Sequence, residues 1–156
     1  LPRNDLRSRI EHTLAKELSL YVAIYSPIQM VMDLERNYEA RPDAFQFIKD
    51  VPTDWEHSIA LDGEVGDYAV IARKDRNSED WYVAALTDAE ARKLTVDLSF
   101  MGEGDYEAQI YRDGPKADYE TNPYDMVIEK KPVTSADTLS LPLGRSGGAA
   151  IRLKKL

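Results

Sequence analysis

The residues of this 156-residue chain that could support acid–base chemistry are mainly carboxylates, since Asp and Glu together number 28. Hydrolysis by paired carboxylates needs two such groups at a defined separation, and the sequence singles out no pair. The segment DLERNYEARPD (Asp33–Asp43) carries four acids, but it lacks the spacing and the central glycine of a calcium loop. We predict that it is a solvated connection, and we assign no catalytic residue to the chain.

Histidine and cysteine give no stronger signal. His12 and His57 are the only histidines, and neither has a second histidine at metal-ligand spacing. The chain has no cysteine, which excludes disulfides, thiolate catalysis and cysteine-bound zinc or iron–sulfur centres. The segment GEGD (Gly102–Asp105) indicates a turn, because no helix or lysine follows it as in a phosphate-binding loop. We predict no metal-binding residue.

Aromatic side chains could instead stack on a sugar ring. The seven that we considered are Trp55, Trp81, Tyr82, Tyr106, Tyr111, Tyr119 and Tyr124. Trp81 and Tyr82 are neighbours in a predicted strand, so their side chains point to opposite faces and one of them must face the core. We expect most of the seven to pack in the core or at a domain interface. Tyr119 and Tyr124, in a loop between strands, are the candidates for sugar binding.

Charge and length exclude two classes of partner. The formal net charge of −8 disfavours nucleic acid, because an acidic surface repels phosphate. Residues 18–32 carry no charge, but a membrane span needs about 20 apolar residues and this stretch is shorter and contains Pro27. The first residues have no signal-peptide core and no initiator Met, so we expect a piece cut from a longer chain.

The sequence pattern changes from helical to β along the chain, and we predict a domain boundary after residue 55. Residues 1–55 read as helical, with Asn4 or Asp5 as an N-cap, a second helix starting at Ser26–Pro27, and a short amphipathic helix near Pro42. A surface helix should show a charged face, which residues 18–32 lack. This pattern predicts a helix buried on all sides, with packing partners outside the chain.

Residues 56–156 read as about eight short strands separated by polar turns. The clearest alternation is RKLTVDLSF, where Leu94, Val96, Leu98 and Phe100 share one face. Pro132 and Pro142 are expected at strand ends or sheet edges. The fold class predicted is α+β, with N-terminal helices followed by an antiparallel two-sheet β-sandwich.

Five segments, in order, together resemble the C-terminal part of glycoside hydrolase family 97, the Bacteroides-type α-glucosidases and α-galactosidases. They are TLAKELSLYVAIYSPIQMVMD (13–33), NYEARPDAFQFIKDVPTDW (37–55), LDGEVGDYAVIARK (61–74), WYVAALTD (81–88) and IYRDGPKAD (110–118). The Gly-Gly pair before the last strand fits as well. The resemblance implies that residues 1–55 are the terminal helices of a (β/α)8 catalytic barrel plus a connector, and that 56–156 are a C-terminal β-sandwich domain.

The family's known chemistry implies that the catalytic residues lie in another part of the parent enzyme. The parent enzyme would hydrolyse terminal α-glucosides or α-galactosides of oligosaccharides in the periplasm, with calcium near the substrate. The catalytic and calcium-binding residues belong to barrel segments upstream of residue 1, so this chain alone is predicted to be inactive and to hold no cofactor. Its expected task is to brace the barrel and to support homo-oligomer contacts.

Two other functions stay open at this point. A carbohydrate-binding module would line up aromatic rings on one exposed sheet face. A stand-alone adhesion or scaffold protein would cover residues 18–32 within its own chain or with a second copy.

Overall fold

The computed structural model of the chain describes residues 11–31 and 35–156, and these ranges contain three helices and eight strands. The helices are α1 (Leu14–Ala23), α2 (Glu35–Glu39) and α3 (Pro42–Asp50). The strands are β1 (Trp55–Glu64), β2 (Tyr68–Asp75), β3 (Trp81–Thr87), β4 (Arg92–Asp97), β5 (Tyr106–Asp113), β6 (Met126–Val133), β7 (Thr138–Leu143) and β8 (Gly148–Lys155).

The strands form two antiparallel sheets of unequal size. Six of them pair in the order β1-β2-β3-β8-β5-β6, and β4 pairs with β7 in a two-stranded ribbon. The predicted antiparallel sandwich and its eight strands are confirmed. Pro132 lies in β6 at the edge of the large sheet, and Pro142 lies in the ribbon, where a missing N–H is tolerated.

The ribbon covers one face of the six-stranded sheet. Leu94 and Val96 of β4 and Leu141 of β7 pack against Ile110 and Ile151, and all are buried in one cluster. Phe100 is only partly buried against this cluster. This layer is a closed core of the kind that alternating strands are expected to make.

The helices cover the opposite face. Leu18 and Val22 of α1 and Phe47 of α3 pack with Tyr82 and Ala84 in a second buried cluster. Since β3 lies at the middle of the sheet, it is apolar along both faces, which explains why WYVAAL shows no alternation. Trp81 and Tyr82 do point to opposite faces, and both are buried because each face is covered.

Helix α1 begins later than the sequence suggests and ends earlier. Its N-cap is Thr13, whose hydroxyl accepts from the Lys16 N–H at 3.2 Å. The alternative caps Asn4 and Asp5 lie outside the described residues. Helix α3 begins at Pro42, as expected.

The helix predicted to start at Ser26–Pro27 is wrong for the described part of that segment. Residues 24–31 form no helix, and Ile24 is extended with φ −91° and ψ 117°. Proline at a first helical position would permit a helix here, but the Ser26 hydroxyl instead closes a local turn by donating to the Ile28 carbonyl at 2.6 Å. Leu18 and Val22 are buried within the described chain, whereas residues 24–31 are largely exposed, so the predicted burial of this segment by partners outside the chain stays a prediction.

Candidate interaction surface

The segment that follows α1 exposes a run of large apolar side chains, which we call the apolar strip. Its members are Ile24, Tyr25, Ile28, Met30 and Val31. Ile28 is 72% exposed and Met30 is 75% exposed. Single exposed apolar residues are ordinary, but five within eight residues form an apolar patch of the kind that is typical of interaction surfaces.

Local hydrogen bonds hold the strip in shape. The Ser26 hydroxyl donates to the Ile28 carbonyl at 2.6 Å and accepts from the Ile28 N–H at 3.3 Å. The Gln29 amide donates to the Tyr21 carbonyl at 3.3 Å, which ties the strip back to α1. The apolar side chains are therefore displayed from a turn with defined anchors.

Arg73 of β2 links the apolar strip to the six-stranded sheet through a hydrogen bond and ring contacts. Its Nη2 donates to the Ala23 carbonyl at 3.1 Å, at the C-terminal end of α1 where carbonyls lack helical partners. Its guanidinium lies 5.6 Å from the Tyr25 ring centroid and 5.9 Å from that of Trp55, within the range of cation–π attraction. Burial lowers the pKa of this guanidinium.

A second apolar opening lies on the same face of the sheet as α1. It is a groove of about 870 Å³ between Lys16 and the β1–β2 hairpin, and its apolar floor includes Ala60, Ile71 and Leu86. Ile71 pairs with Ala84, which faces the helices, so the groove is the part of this face that α1 leaves uncovered.

The other end of α1 is held against the loop before β8. The Thr13 N–H donates to the Ser146 carbonyl at 3.1 Å, and Lys16 Nζ donates to the Thr87 carbonyl at 2.6 Å. A Cβ added to Gly148 would lie 2.6 Å from the Lys16 Cα. The Gly-Gly pair noted in the sequence therefore lets the helix backbone approach the sheet closely.

Asp113 anchors that loop. Its buried Oδ2 accepts from the N–H groups of Gly144 and Gly148, both at 2.9 Å. Burial raises the pKa of the Asp113 carboxyl, although these two N–H groups oppose the shift. Sequence reasoning missed the role of this residue, because one aspartate among 28 acids carries no distinguishing pattern.

A third set of contacts holds α3. The Tyr82 hydroxyl donates to the Asp50 carbonyl at 2.8 Å, and burial raises the Tyr82 pKa. Arg152 forms ion pairs with Asp50 at 3.1 Å and with the buried Asp80 at 2.8 Å. These bonds tie the last turn of α3 to the centre of the large sheet.

The sugar-binding candidates lie in the loop between β5 and β6. Asp118 organises this loop by accepting from the N–H groups of Glu120 and Thr121, both at 3.0 Å. The Tyr119 hydroxyl donates to Glu120 at 2.7 Å, and Arg145 lies 5.1 Å from the Tyr119 ring centroid. Tyr124 is 59% exposed. Sugar binding by Tyr119 and Tyr124 stays a prediction.

The other five aromatics considered as a platform are buried, as expected: Trp55, Trp81, Tyr82, Tyr106 and Tyr111. They belong to both clusters, on opposite faces of the sheet, so they form no exposed row.

The histidines lie apart from one another. His57 Nε2 lies 3.8 Å from a carboxylate oxygen of Glu56. His12, which precedes α1, bonds to Glu17 in the first turn of that helix. Among residues 11–31 and 35–156, no group of three His, Cys, Asp or Glu side chains is arranged to hold a metal ion. Within the same ranges, every helix falls short of the length and apolarity that a membrane span needs.

Residues 54–154, which include all eight strands apart from the last residue of β8, match the model of a family described as the C-terminal, oligomerisation domain of glycosyl hydrolase 97. The chain belongs to this family. As a glycoside hydrolase 97 C-terminal domain, it is the non-catalytic portion of such enzymes, which agrees with the resemblance read from the sequence. The predicted boundary between residues 55 and 56 stays a prediction, although β1 begins at Trp55.

Longer proteins contain similar segments. The chain is 38% identical over 142 residues to a retaining α-galactosidase of Bacteroides thetaiotaomicron, covering 91% of this chain and 21% of that protein. It is 32% identical to a probable retaining α-galactosidase of Streptomyces bingchenggensis, covering 87% of this chain and 20% of that protein. It thus spans about a fifth of the curated relatives that it matches.

A solved structure supports the fold. The chain superposes on a glycoside hydrolase family 97 enzyme of Pseudoalteromonas sp. strain K8, in complex with acarbose, with a TM-score of 0.93. The two are 56% identical, and the match covers 95% of this chain and 23% of that one. Over nearly all of its length, the fold of this chain therefore agrees with that of a solved member of the family.

Proposed function

We propose that this non-catalytic domain braces the catalytic barrel of a family 97 α-glycosidase, with the apolar strip as its docking element. The observation that carries this proposal is the exposure of the strip, from Ile24 to Val31, directly beyond a helix that buries Leu18 and Val22 against the sheet. Fully burying an Ile or Met side chain contributes about 1.5–3 kcal/mol, so covering the strip would stabilise the two-domain arrangement.

The position of the strip supports the barrel as the partner. Residues 24–31 precede the range 54–154 that matches the oligomerisation domain. The proposal thus separates two tasks: the strip contacts the rest of the same polypeptide, while the sandwich supports homo-oligomer contacts.

The activity of the parent is part of the same proposal. Both curated relatives are described as retaining α-galactosidases, one of them as probable, and the matched Pseudoalteromonas enzyme was solved with acarbose and with panose. We propose that the parent hydrolyses terminal α-galactosides or α-glucosides of oligosaccharides. A periplasmic location and a calcium ion in the barrel follow from the family resemblance alone, and no residue of this chain is assigned to that ion.

The docking role is tested in the full-length parent with Ile28→Glu. Because Leu156 is also 72% exposed, Leu156→Glu is a matched control that adds the same charge at an equally exposed apolar residue outside the strip. Ile28→Glu should shorten the half-life of glycosidase activity on heating, whereas Leu156→Glu should leave it unchanged. Equal behaviour of the two variants would refute the docking role.

The non-catalytic assignment has its own assay. The isolated 156-residue chain should show no turnover of aryl α-galactosides or aryl α-glucosides. Turnover by the pure chain would overturn this part of the proposal.

A further inference from the structure

Arg73 is a buried cation that has no anionic partner among the described residues. It is 8% exposed, and its hydrogen bonds go to two neutral oxygens, the Ser58 hydroxyl at 2.9 Å and the Ala23 carbonyl at 3.1 Å. Its Nε atom is buried without a hydrogen-bond partner. Burying a charge away from water is costly unless the charge is paired.

The neighbouring acids are already engaged. On the adjacent strand, Glu56 pairs with Lys74 at 2.8 Å. Just before that strand, Asp54 pairs with Arg76 at 2.9 Å. Arg73 therefore stands out from the nearby cations, each of which has a carboxylate.

A second unsatisfied donor lies beside the first. Trp55 is 5% exposed, and its indole N–H has no hydrogen-bond partner in the described structure. The Arg73 guanidinium lies 5.9 Å from the Trp55 ring centroid and 5.6 Å from that of Tyr25, which belongs to the apolar strip. A body that covers the strip therefore packs on Tyr25, whose ring neighbours the guanidinium.

We propose that the barrel surface that docks on the apolar strip carries a carboxylate that pairs with Arg73. This inference rests on the proposed docking function and adds the chemistry of the partner: an apolar patch with one acidic side chain beside the site of Tyr25. Guanidinium matches a carboxylate through two parallel hydrogen bonds, which would fix the orientation of the docked surface as well as its affinity.

The occupant is the barrel of the same polypeptide and not a second copy. The strip lies outside residues 54–154, the range of the oligomerisation family. The relatives are also about four times as long as this chain, so a large body covalently linked to such a domain is available in them.

The test compares Arg73→Met in two contexts, because the sign of its effect differs between them. In the isolated chain the charge is uncompensated, so Arg73→Met should leave the urea midpoint unchanged or raise it, despite the lost bond to Ala23. In the full-length parent the charge is paired, so the same change should shorten the half-life of activity at elevated temperature by about tenfold or more. Arg76→Met, which removes an exposed pair with Asp54 and one hydrogen bond to the Trp55 carbonyl, is the control and should have the same small effect in both contexts.

Each other outcome has a defined meaning. A parent destabilised by Ile28→Glu but not by Arg73→Met would refute the carboxylate while the docking function stands. A parent insensitive to both would refute the docking function itself. If Asp33→Asn, in the isolated chain, removes the difference between wild type and Arg73→Met, the partner is internal and the inference is wrong. It is also wrong if light scattering shows an isolated-chain dimer that Arg73→Met dissociates.

Discussion

The two faces of the six-stranded sheet are covered in different ways. On the ribbon side, aliphatic residues such as Val96, Leu141 and Ile151 fill a closed layer. On the helix side, α1 crosses small residues, Ala84 and Ala150, and the layer continues into the exposed strip. The ribbon face is thus covered by a closed apolar layer, whereas the layer on the helix face ends in exposed apolar side chains.

The two layers also differ in the kind of interaction that determines their packing. Aliphatic burial is non-directional, so the ribbon layer tolerates changes that keep its volume. The helix layer depends on individual polar contacts, including Tyr82 to the Asp50 carbonyl and Asp113 to the Gly148 N–H. Three predictions follow from this contrast, in order of decreasing effect.

The strongest test removes one large aliphatic side chain from each layer. Ile110 and Leu18 are each 1% exposed, in the ribbon layer and the helix layer respectively. Each change to Ala should lower the free energy of unfolding by about 3 kcal/mol through the cavity that it leaves. Hydrogen exchange should then separate them: Ile110→Ala should expose amides of the whole sandwich, and Leu18→Ala should expose residues 14–23 first. Identical exchange patterns would show that the two layers unfold as one unit.

Gly148→Ala should have an intermediate effect that is confined to the helix layer. The new methyl group would press on the Lys16 backbone, and neither backbone can yield cheaply. We expect a loss of about 2 kcal/mol in urea unfolding, typical of overpacking. Gly102→Ala is the control, since its added Cβ would make an ordinary 3.6 Å contact with the Tyr106 hydroxyl. A loss as large for Gly102→Ala would show that the close approach of α1 is not the cause.

The smallest expected effect concerns how the free energy of unfolding depends on pH. Two aspartates should contribute to this dependence with opposite signs. Burial raises the Asp113 pKa above its unfolded value, so its contribution to stability is fully present below the unfolded pKa and is lost as pH rises through the folded pKa. Bonds from Thr134 lower the Asp137 pKa, so its contribution is present above the unfolded pKa and is lost as pH falls through the folded pKa.

Urea unfolding of Asp113→Asn and Asp137→Asn between mildly acidic and neutral pH measures both contributions. The stability of wild type relative to Asp113→Asn should fall as pH rises, and that relative to Asp137→Asn should rise. A rise in both would mean that Asp113 is not held in a desolvating site.

The strands were predictable because their signals are local. Alternation in β4 and the turns between strands predicted all eight elements, and Pro42 marked the start of α3. The same reasoning missed the end of α1, because an uncharged stretch looks alike whether its partner lies within the chain or beyond it. Arg73 was missed for a related reason: its role depends on burial beneath residues 50 positions away, which no spacing in the sequence reveals.

Strand β8 has a consequence for how the domain is made. It lies between β3 and β5, so it alone joins the β1–β2–β3 half of the sheet to the β5–β6 half, and it is the last of the eight strands in sequence. During translation β8 is synthesised after every other strand. Until it is available, each half of the sheet exposes an unpaired strand edge. The domain is therefore obliged to finish folding after translation of its final strand, and its vulnerability to aggregation is concentrated in that interval.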